Sequence, residues 1–390
     1  MRTRVGRGRQ RILWAVLVVA LGALPALLAV AAEGIATFVS GKRLERRGGV
    51  VTEVTSPAPR ANRAKDAERA PRPSKPSDKA AAEESRDGRR TRARAGRRSR
   101  SRRGCKGVVV RSGSSLQSAI DAAPAGAKLC IRRGTYRVAA PIVPKDGQTL
   151  AGAGRRRTSI TTASAPTVID AKATSGVTIK RLVVSGAAGS EACAPACGRG
   201  IAAGANTVID RVRAHDNAIT GIGGSEGGLL VTNSELDHNG SAQFIGCCAS
   251  GIKTGTAFTI VNSYVHNNAG VGIWCDMGCQ GSAFRVFGNV VVDNSMGGVR
   301  YEISSVPAVI QGNRVQGNNV SGAGGHGGIE INSSRNVVVE SNTLGGNVGP
   351  GVVANGNRSP GVANVDVVNN VLRGDEVTGC GDGVSCVGNR

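Results

Sequence analysis

The amino-acid sequence predicts an all-β fold, a β-solenoid of stacked parallel coils spanning residues 105–390. Three observations carry that expectation. Glycine is abundant, 57 residues against 2 Trp, 3 Tyr and 5 Phe, which suits a chain that turns often around small core layers. Two short motifs recur in alternation from about residue 200 onward, the signature of a repeat architecture. No repeat holds an amphipathic run of helical length, which sets aside leucine-rich and α-solenoid folds.

From the N-terminus, residues 1–11 are basic, with Arg2, Arg4, Arg7, Arg9 and Arg11 ahead of the uncharged apolar run 12–32. At ~1.5 Å per residue that run is long enough to cross a hydrocarbon core. It reads as a signal peptide or a transmembrane anchor. Ala29-Val30-Ala31 has the small-x-small form of a signal-peptidase site, while the run exceeds the ~7–15 residues of an ordinary signal core. Either way the rest of the chain is expected outside the cytoplasm, secreted or held at the membrane by this segment.

Residues 33–104 read as a disordered basic linker, rich in Pro, Ala, Ser and charge with little to bury. Counting along the sequence, residues 1–104 hold 26 Lys/Arg against 9 Asp/Glu, leaving 24 against 18 for the rest. The net charge of +23 is therefore mostly a property of the tail. The stretch 86–103, RDGRRTRARAGRRSRSRR, can attract any polyanion by point charge and counterion release. Export points to lipid headgroups, cell-wall polymers or acidic polysaccharides and away from a specific nucleic-acid partner.

All 10 cysteines lie at or beyond Cys105, and an even set in an exported domain fits disulfides made in an oxidising compartment. Cys193/Cys197, Cys275/Cys279 and Cys380/Cys386 are spaced to close small loops, and Cys105 with Cys130 could staple the first structured segment. The vicinal Cys247-Cys248 is expected to find partners elsewhere. Zinc at Cys193-x-x-x-Cys197 would need further ligands, and no nearby His supplies one.

The first motif begins at Asp210, Asn233, Asn262, Asn289, Asn313, Asn342 and Asn370, 23 to 29 residues apart, and the second at Gly200, Gly221, Gly251, Gly272, Gly298, Gly328 and Gly351. Each repeat thus supplies at least two short strands separated by turns. Stacking aligns equivalent strands in parallel at ~4.8 Å and joins their inward side chains into one core. Recurrent Asn, Asp and His at the turns can bond from coil to coil; His215 and His238 are aligned with Asn267, Asn294, Asn318 and Asn347 as such ladder members. A His/Asp metal site with Asp216 or Asp237 is the alternative. Ahead of the coils, Ser114-Ser115-LQSAIDAA pairs a capping serine with Leu116, Ala119, Ile120 and Ala123 at helical spacing, which predicts a short helix able to cap the open end of the stack.

The run from Leu116 to Tyr136, LQxAIDAAPAGxxLxIxxGTY, resembles the amino-terminal pattern of the pectate-lyase-like superfamily of right-handed parallel β-helix proteins. The resemblance extends over about Val108 to Asn370. It implies a right-handed parallel β-helix and a polysaccharide or cell-wall polymer as partner. That superfamily includes lyases, hydrolases, epimerases, binding proteins and tailspikes, so the reaction stays open. A monomeric chain is expected.

With the Gly-[Ile/Val] strands in register, the two-residue strand period sends Ile201, Ile222, Ile252, Ile273, Val299, Ile329 and Val352 inward. The same period sends Lys253, Trp274, Asp276, Arg300, Glu302, Glu330 and Asn332 outward onto one sheet face. An aromatic ring beside cations and carboxylates is what a sugar site uses, because ring faces stack on pyranose C–H surfaces and charges hold a uronate. Three readings are open. As a lyase, Lys253 or Arg300 would remove the C5 proton, with Ca²⁺ held by Asp276, Glu302 and Glu330; the superfamily's lyases use such bases. As a glycoside hydrolase, Asp276 with Glu302 or Glu330 would act as acid and base. As a non-catalytic module, the same face would only bind polysaccharide or form a solubilising charge ladder. His326, in the run Gly322-AGGHGG, could reach the Arg300/Glu330 area as a substrate-binding or proton-transfer group.

Overall fold

Short β-branched strands punctuated by residues that tolerate left-handed backbone cannot bury a face alone, but they can pair with their counterparts one repeat away. The computed structural model, which describes residues 44–47, 50–53 and 105–390, folds in this way. The basic N-terminus, the apolar segment 12–32 and the linker lie outside the described residues, except that Leu44–Arg47 and Val50–Glu53 pair antiparallel. Among the described residues no helix is long and apolar enough to cross a membrane.

Residues 105–390 form a right-handed parallel β-helix whose coils contribute to three sheets of ten, nine and twelve strands. The nine-strand sheet carries the Gly-[Ile/Val] strands, paired parallel with Ile201 beside Ile222, Ile252, Ile273, Val299, Ile329 and Val352 in turn. Each of these side chains is fully buried, a gain of about 1.5–3 kcal/mol apiece over exposure. The middle coils are filled by Phe258, which meets Phe284 edge-on with centroids 5.0 Å apart, and by Tyr301, which stacks on Phe284 at 5.5 Å.

At the N-terminal end, helix α1 (Leu116–Ala122) is capped by Ser115, whose side chain accepts from the Ser118 N–H, and buries Leu116 and Ile120. Buried Gln148 donates to the carbonyls of Ile120, Ala123 and Pro124, satisfying the last turn where it meets the coils.

The turns are held by two interior asparagine ladders. In one, Asn217, Asn239, Asn268, Asn294, Asn318 and Asn347 each donate from Nδ2 to the Oδ of the next coil's member, ending on Asp375. The other runs Asn289, Asn313, Asn342, Asn370 and Asn389. The glycine column is the counterpart of the first ladder. A Cβ on Gly272 would lie 2.7 Å from the Gly298 carbonyl oxygen and 2.8 Å from Asn294 Nδ2, so only glycine lets strand and ladder approach this closely.

The histidines do not belong to that ladder. His238 occupies the preceding corner in a left-handed conformation, as do Asp216, Asn267 and Asp293, with φ of 51° to 56°. His215 lies one step earlier, in register with Asp237 and His266 on the ten-strand sheet. The column expected from the sequence is therefore two residues early at His215 and one early at His238 and Asn267, whose coils place Asn217, Asn239 and Asn268 in the ladder.

Five disulfides, Cys105–Cys130, Cys193–Cys197, Cys247–Cys248, Cys275–Cys279 and Cys380–Cys386, fit an oxidising compartment. The vicinal cysteines pair with each other, contrary to expectation, because no other cysteine remains free.

Candidate functional site

The outward column of the nine-strand sheet passes from Gly223 to Lys253, Trp274, Arg300, Glu330 and Val353. Four consecutive coils thus place a cation, an aromatic ring, a cation and a carboxylate at successive heights. Asp276 and Glu302 follow two residues along their own strands, and Asn332 pairs with Glu302 in register. The strands bring together the residues expected from the sequence, although several are less accessible than the outward register implies.

Trp274 is 5% exposed. Lys253 Nζ lies 3.4 Å from its ring centroid and Arg300 Cζ 5.1 Å, so the indole supports cations and is not an open platform for sugar. Its Nε1–H donates to Glu302 Oε2 at 3.0 Å. Lys253 Nζ also pairs with Asp276 Oδ2 at 3.0 Å and donates to the Cys247 carbonyl. Burial lowers the Lys253 pKa below its ordinary value, and Asp276 and Glu302 only partly restore it.

Arg300 divides the carboxylates. Its Nη2 bonds Glu302 Oε1 at 3.0 Å and its Nε lies 3.3 Å from Glu330 Oε2; neither of the latter two atoms has an aligned hydrogen bond, so that contact is Coulombic. Glu330 is 1% exposed and also meets His326 Nδ1 at 2.8 Å and the Gly327 N–H at 3.4 Å. His326 thus reaches Glu330 as expected. Glu330 itself is an interior anchor, seated where a Cβ on Gly297 would come within 2.5 Å of Oε1.

This arrangement does not fit the Ca²⁺ set expected from the sequence. Calcium takes six to eight oxygens at about 2.3–2.6 Å, whereas Arg300 stands between Glu302 and Glu330, and Asp276 is turned to Lys253. The resident cations already neutralise the three carboxylates. Glu302 is nevertheless raised above the ordinary carboxylate pKa, by burial first and by the neighbouring Asp276, against the opposing pull of Arg300 and Trp274.

Sequence reading missed Arg199, which precedes the glycine column by one residue. Beside Lys253 and Asp276 opens a groove of about 150 Å³, lined also by Arg199, Pro195, Thr220 and Cys248. The Arg199 side chain crosses the adjacent strand over Gly223 and Gly224, where added Cβ atoms would come within 3.0 Å of it, and its Nε donates to the Pro195 carbonyl at 2.9 Å. A pair of glycines opposite an arginine was the available signal.

No family model matches the sequence, and no curated protein matches it. Solved structures do resemble it. Pectate lyase Pel9A aligns with 70% of this chain and 74% of its own at 16% identity, TM-score 0.50. The chain has the β-helix fold of pectate lyase. The catalytic domain of a GH87 α-1,3-glucanase, solved in complex with tetrasaccharides, aligns with 73% of this chain and 69% of its own at 15% identity, TM-score 0.50. The A-module of the Azotobacter vinelandii mannuronan C-5 epimerase AlgE6 aligns over 70% and 93% at 19% identity, TM-score 0.43.

Proposed function

We propose that this is an exported β-helix protein that cleaves an acidic polysaccharide by β-elimination at the Lys253 groove. The observation that carries the reading is Lys253 itself, a lysine of lowered pKa fixed by Asp276 and Trp274 at the wall of an open groove that a second cation, Arg199, also lines. A buried lysine of this kind is suited to general-base work. The pectate lyase and the glucanase bound to tetrasaccharides that share the fold favour a polysaccharide as ligand.

In this mechanism Arg199 pairs with the C6 carboxylate of a uronate, making the C5 proton more acidic. Neutral Lys253 takes that proton. The C5–H electrons form the C4–C5 double bond, the C4–O bond breaks, and the leaving oxygen takes a proton from Glu302 in its protonated form, which burial and the neighbouring Asp276 favour. Asp276 orients Lys253. Arg300 holds Trp274 and Glu302, Glu330 and His326 hold Arg300 in turn, and Asn332 pairs with Glu302 in register; the basic segment would add attraction for polyanionic chains.

The test is a screen of pectate, alginate and glycosaminoglycans for ultraviolet-absorbing unsaturated products, with Lys253→Met as the control. Unsaturated product from the wild type and at least a hundredfold less from the variant is expected. New reducing ends without a double bond would replace the lyase by a hydrolase using Glu302 as acid and Asp276 as base, a reading supported by the rise in the Glu302 pKa that Asp276 causes. Saccharide binding without turnover would leave a binding module.

A further inference from the structure

We propose that Glu235, Asp237 and His266 form a binding site for a transition-metal dication of the zinc class on the ten-strand sheet. This sheet is distinct from the one carrying the Lys253 groove. Glu235 and Asp237 lie on one strand and His266 on the next, with Asp237 and His266 in direct register. One candidate ligand atom from each lies within 4.8 Å of the others. An ion would therefore clip two consecutive coils together.

The imidazole carries the argument. His266 is 9% exposed, and its Nδ1 lies 2.7 Å from Asn267 Oδ1. An amide oxygen only accepts, so Nδ1 donates its N–H to it, and in that neutral tautomer Nε2 presents a lone pair. That Nε2 is buried without a hydrogen-bond partner, and it faces Glu235 Oε1 at 3.5 Å. Two electron-rich atoms confront each other across a gap that a dication with ligand distances of about 2.0–2.2 Å would fill with modest convergence. One nitrogen with two carboxylates suits zinc and its neighbours better than calcium.

The surroundings are built to hold these ligands. Tyr264 stacks on the His266 ring, centroids 3.8 Å apart. Arg213 grips Asp237 through Nε at 2.8 Å and Nη2 at 2.6 Å, and His238 Nδ1 meets the same carboxylate at 2.7 Å, the kind of outer contact that orients a ligating carboxylate. Asp237 can therefore share only an oxygen already engaged by a neighbour. Glu235 and His266 make the principal contacts. Arg155, 3.3 Å from Glu235 Oε2, competes with the ion for Glu235.

Equilibrium dialysis of the full chain against Zn²⁺ alone, paired with thermal melts, tests the site. One ion per chain and a Tm that rises with Zn²⁺ are expected. His266→Gln and Glu235→Gln should each weaken uptake about tenfold or more. Glu235 is partly exposed, so its variant keeps the test valid should His266→Gln misfold. Arg155→Gln should bind at least as tightly as the wild type, and His215→Gln should bind unchanged. Failure to take up Zn²⁺, or equal uptake by the wild type and the Glu235→Gln variant, would overturn the site and leave His266 packed beside Glu235 without a metal role.

Discussion

The indole Nε1–H of Trp274 donates to Glu302 Oε2 at 3.0 Å, joining a side chain of one coil to a carboxylate of the next. Through this bond the residue that carries Lys253 on its ring also fixes the group that lies beside Asp276. Cation, ring and acid are thereby one mechanical unit, and loosening one member should be felt by the others.

Trp274→Phe keeps a ring beneath Lys253 but removes the donor. Glu302 loses a hydrogen bond that favours its charged form, so its pKa should climb further. Leaving that acceptor unpaired should cost about 1–3 kcal/mol, read by urea denaturation at neutral pH. An unchanged midpoint would mean that the bond contributes nothing to the folded state.

Glu302 also makes a prediction about stability and pH. Its folded pKa is raised, so the folded state holds the proton more tightly than the unfolded chain. The stabilisation is complete below the ordinary glutamate pKa and is lost as pH rises through the raised value. Glu302→Gln should abolish this component, so the difference in unfolding free energy between variant and wild type should move in the variant's favour as pH rises across that window. A difference that is flat with pH would place the titrating proton elsewhere.

How far the sequence was legible depends on where the repeat is rigid. The Gly-[Ile/Val] register is correct because Ile273 and its counterparts must face inward and their glycines must admit the neighbouring backbone; a one-residue slip would turn the strand inside out. At the turns no such penalty acts on the reader. Asn233 and Asn262 are left-handed corners, whereas Asn289 and Asn313 are ladder members one position later. Asparagine serves both roles, so spacing alone merges the two columns. The charged face was legible as a set of residues, but its accessibility was not. Burial of Trp274 and Glu330 is produced by Lys253, Arg300 and His326 folding over them, and strand alternation does not encode where long side chains come to rest. Arg199 escaped notice because its reach depends on two small residues in the next coil.

The ladder itself can be tested at Asn294. Its Oδ1 accepts from Asn268 Nδ2 and from the Asn268 backbone N–H, while its Nδ2 donates to Asn318 Oδ1 and to the Val265 carbonyl. Asn294→Ala strands these buried partners and opens a gap, and should cost about 2–4 kcal/mol. The corresponding change at the exposed corner Asp293 removes no buried partner and costs only the strain of Ala in a left-handed backbone, about 1 kcal/mol. Thermal or urea unfolding of the two variants gives the comparison directly, and equal losses would show that the corner rather than the ladder holds the turn.

The last prediction concerns Asp276, which acts on both proposed reacting groups at once. Its carboxylate raises the pKa of Lys253 and also that of Glu302. The reactive form needs Lys253 neutral and Glu302 protonated, a minority state because the lysine is the weaker acid of the two. Activity against pH is then a bell whose acid limb reports Glu302 and whose alkaline limb reports Lys253, with macroscopic values belonging to the coupled pair. In Asp276→Asn both pKa values fall, so both limbs should move to lower pH while the product remains unsaturated. A hydrolase using Asp276 as its base would instead lose turnover by about a hundredfold or more at every pH. Measuring kcat/KM across the profile separates the two outcomes, since a shifted bell of comparable height supports the lyase and a collapsed one assigns the chemistry to the paired carboxylates.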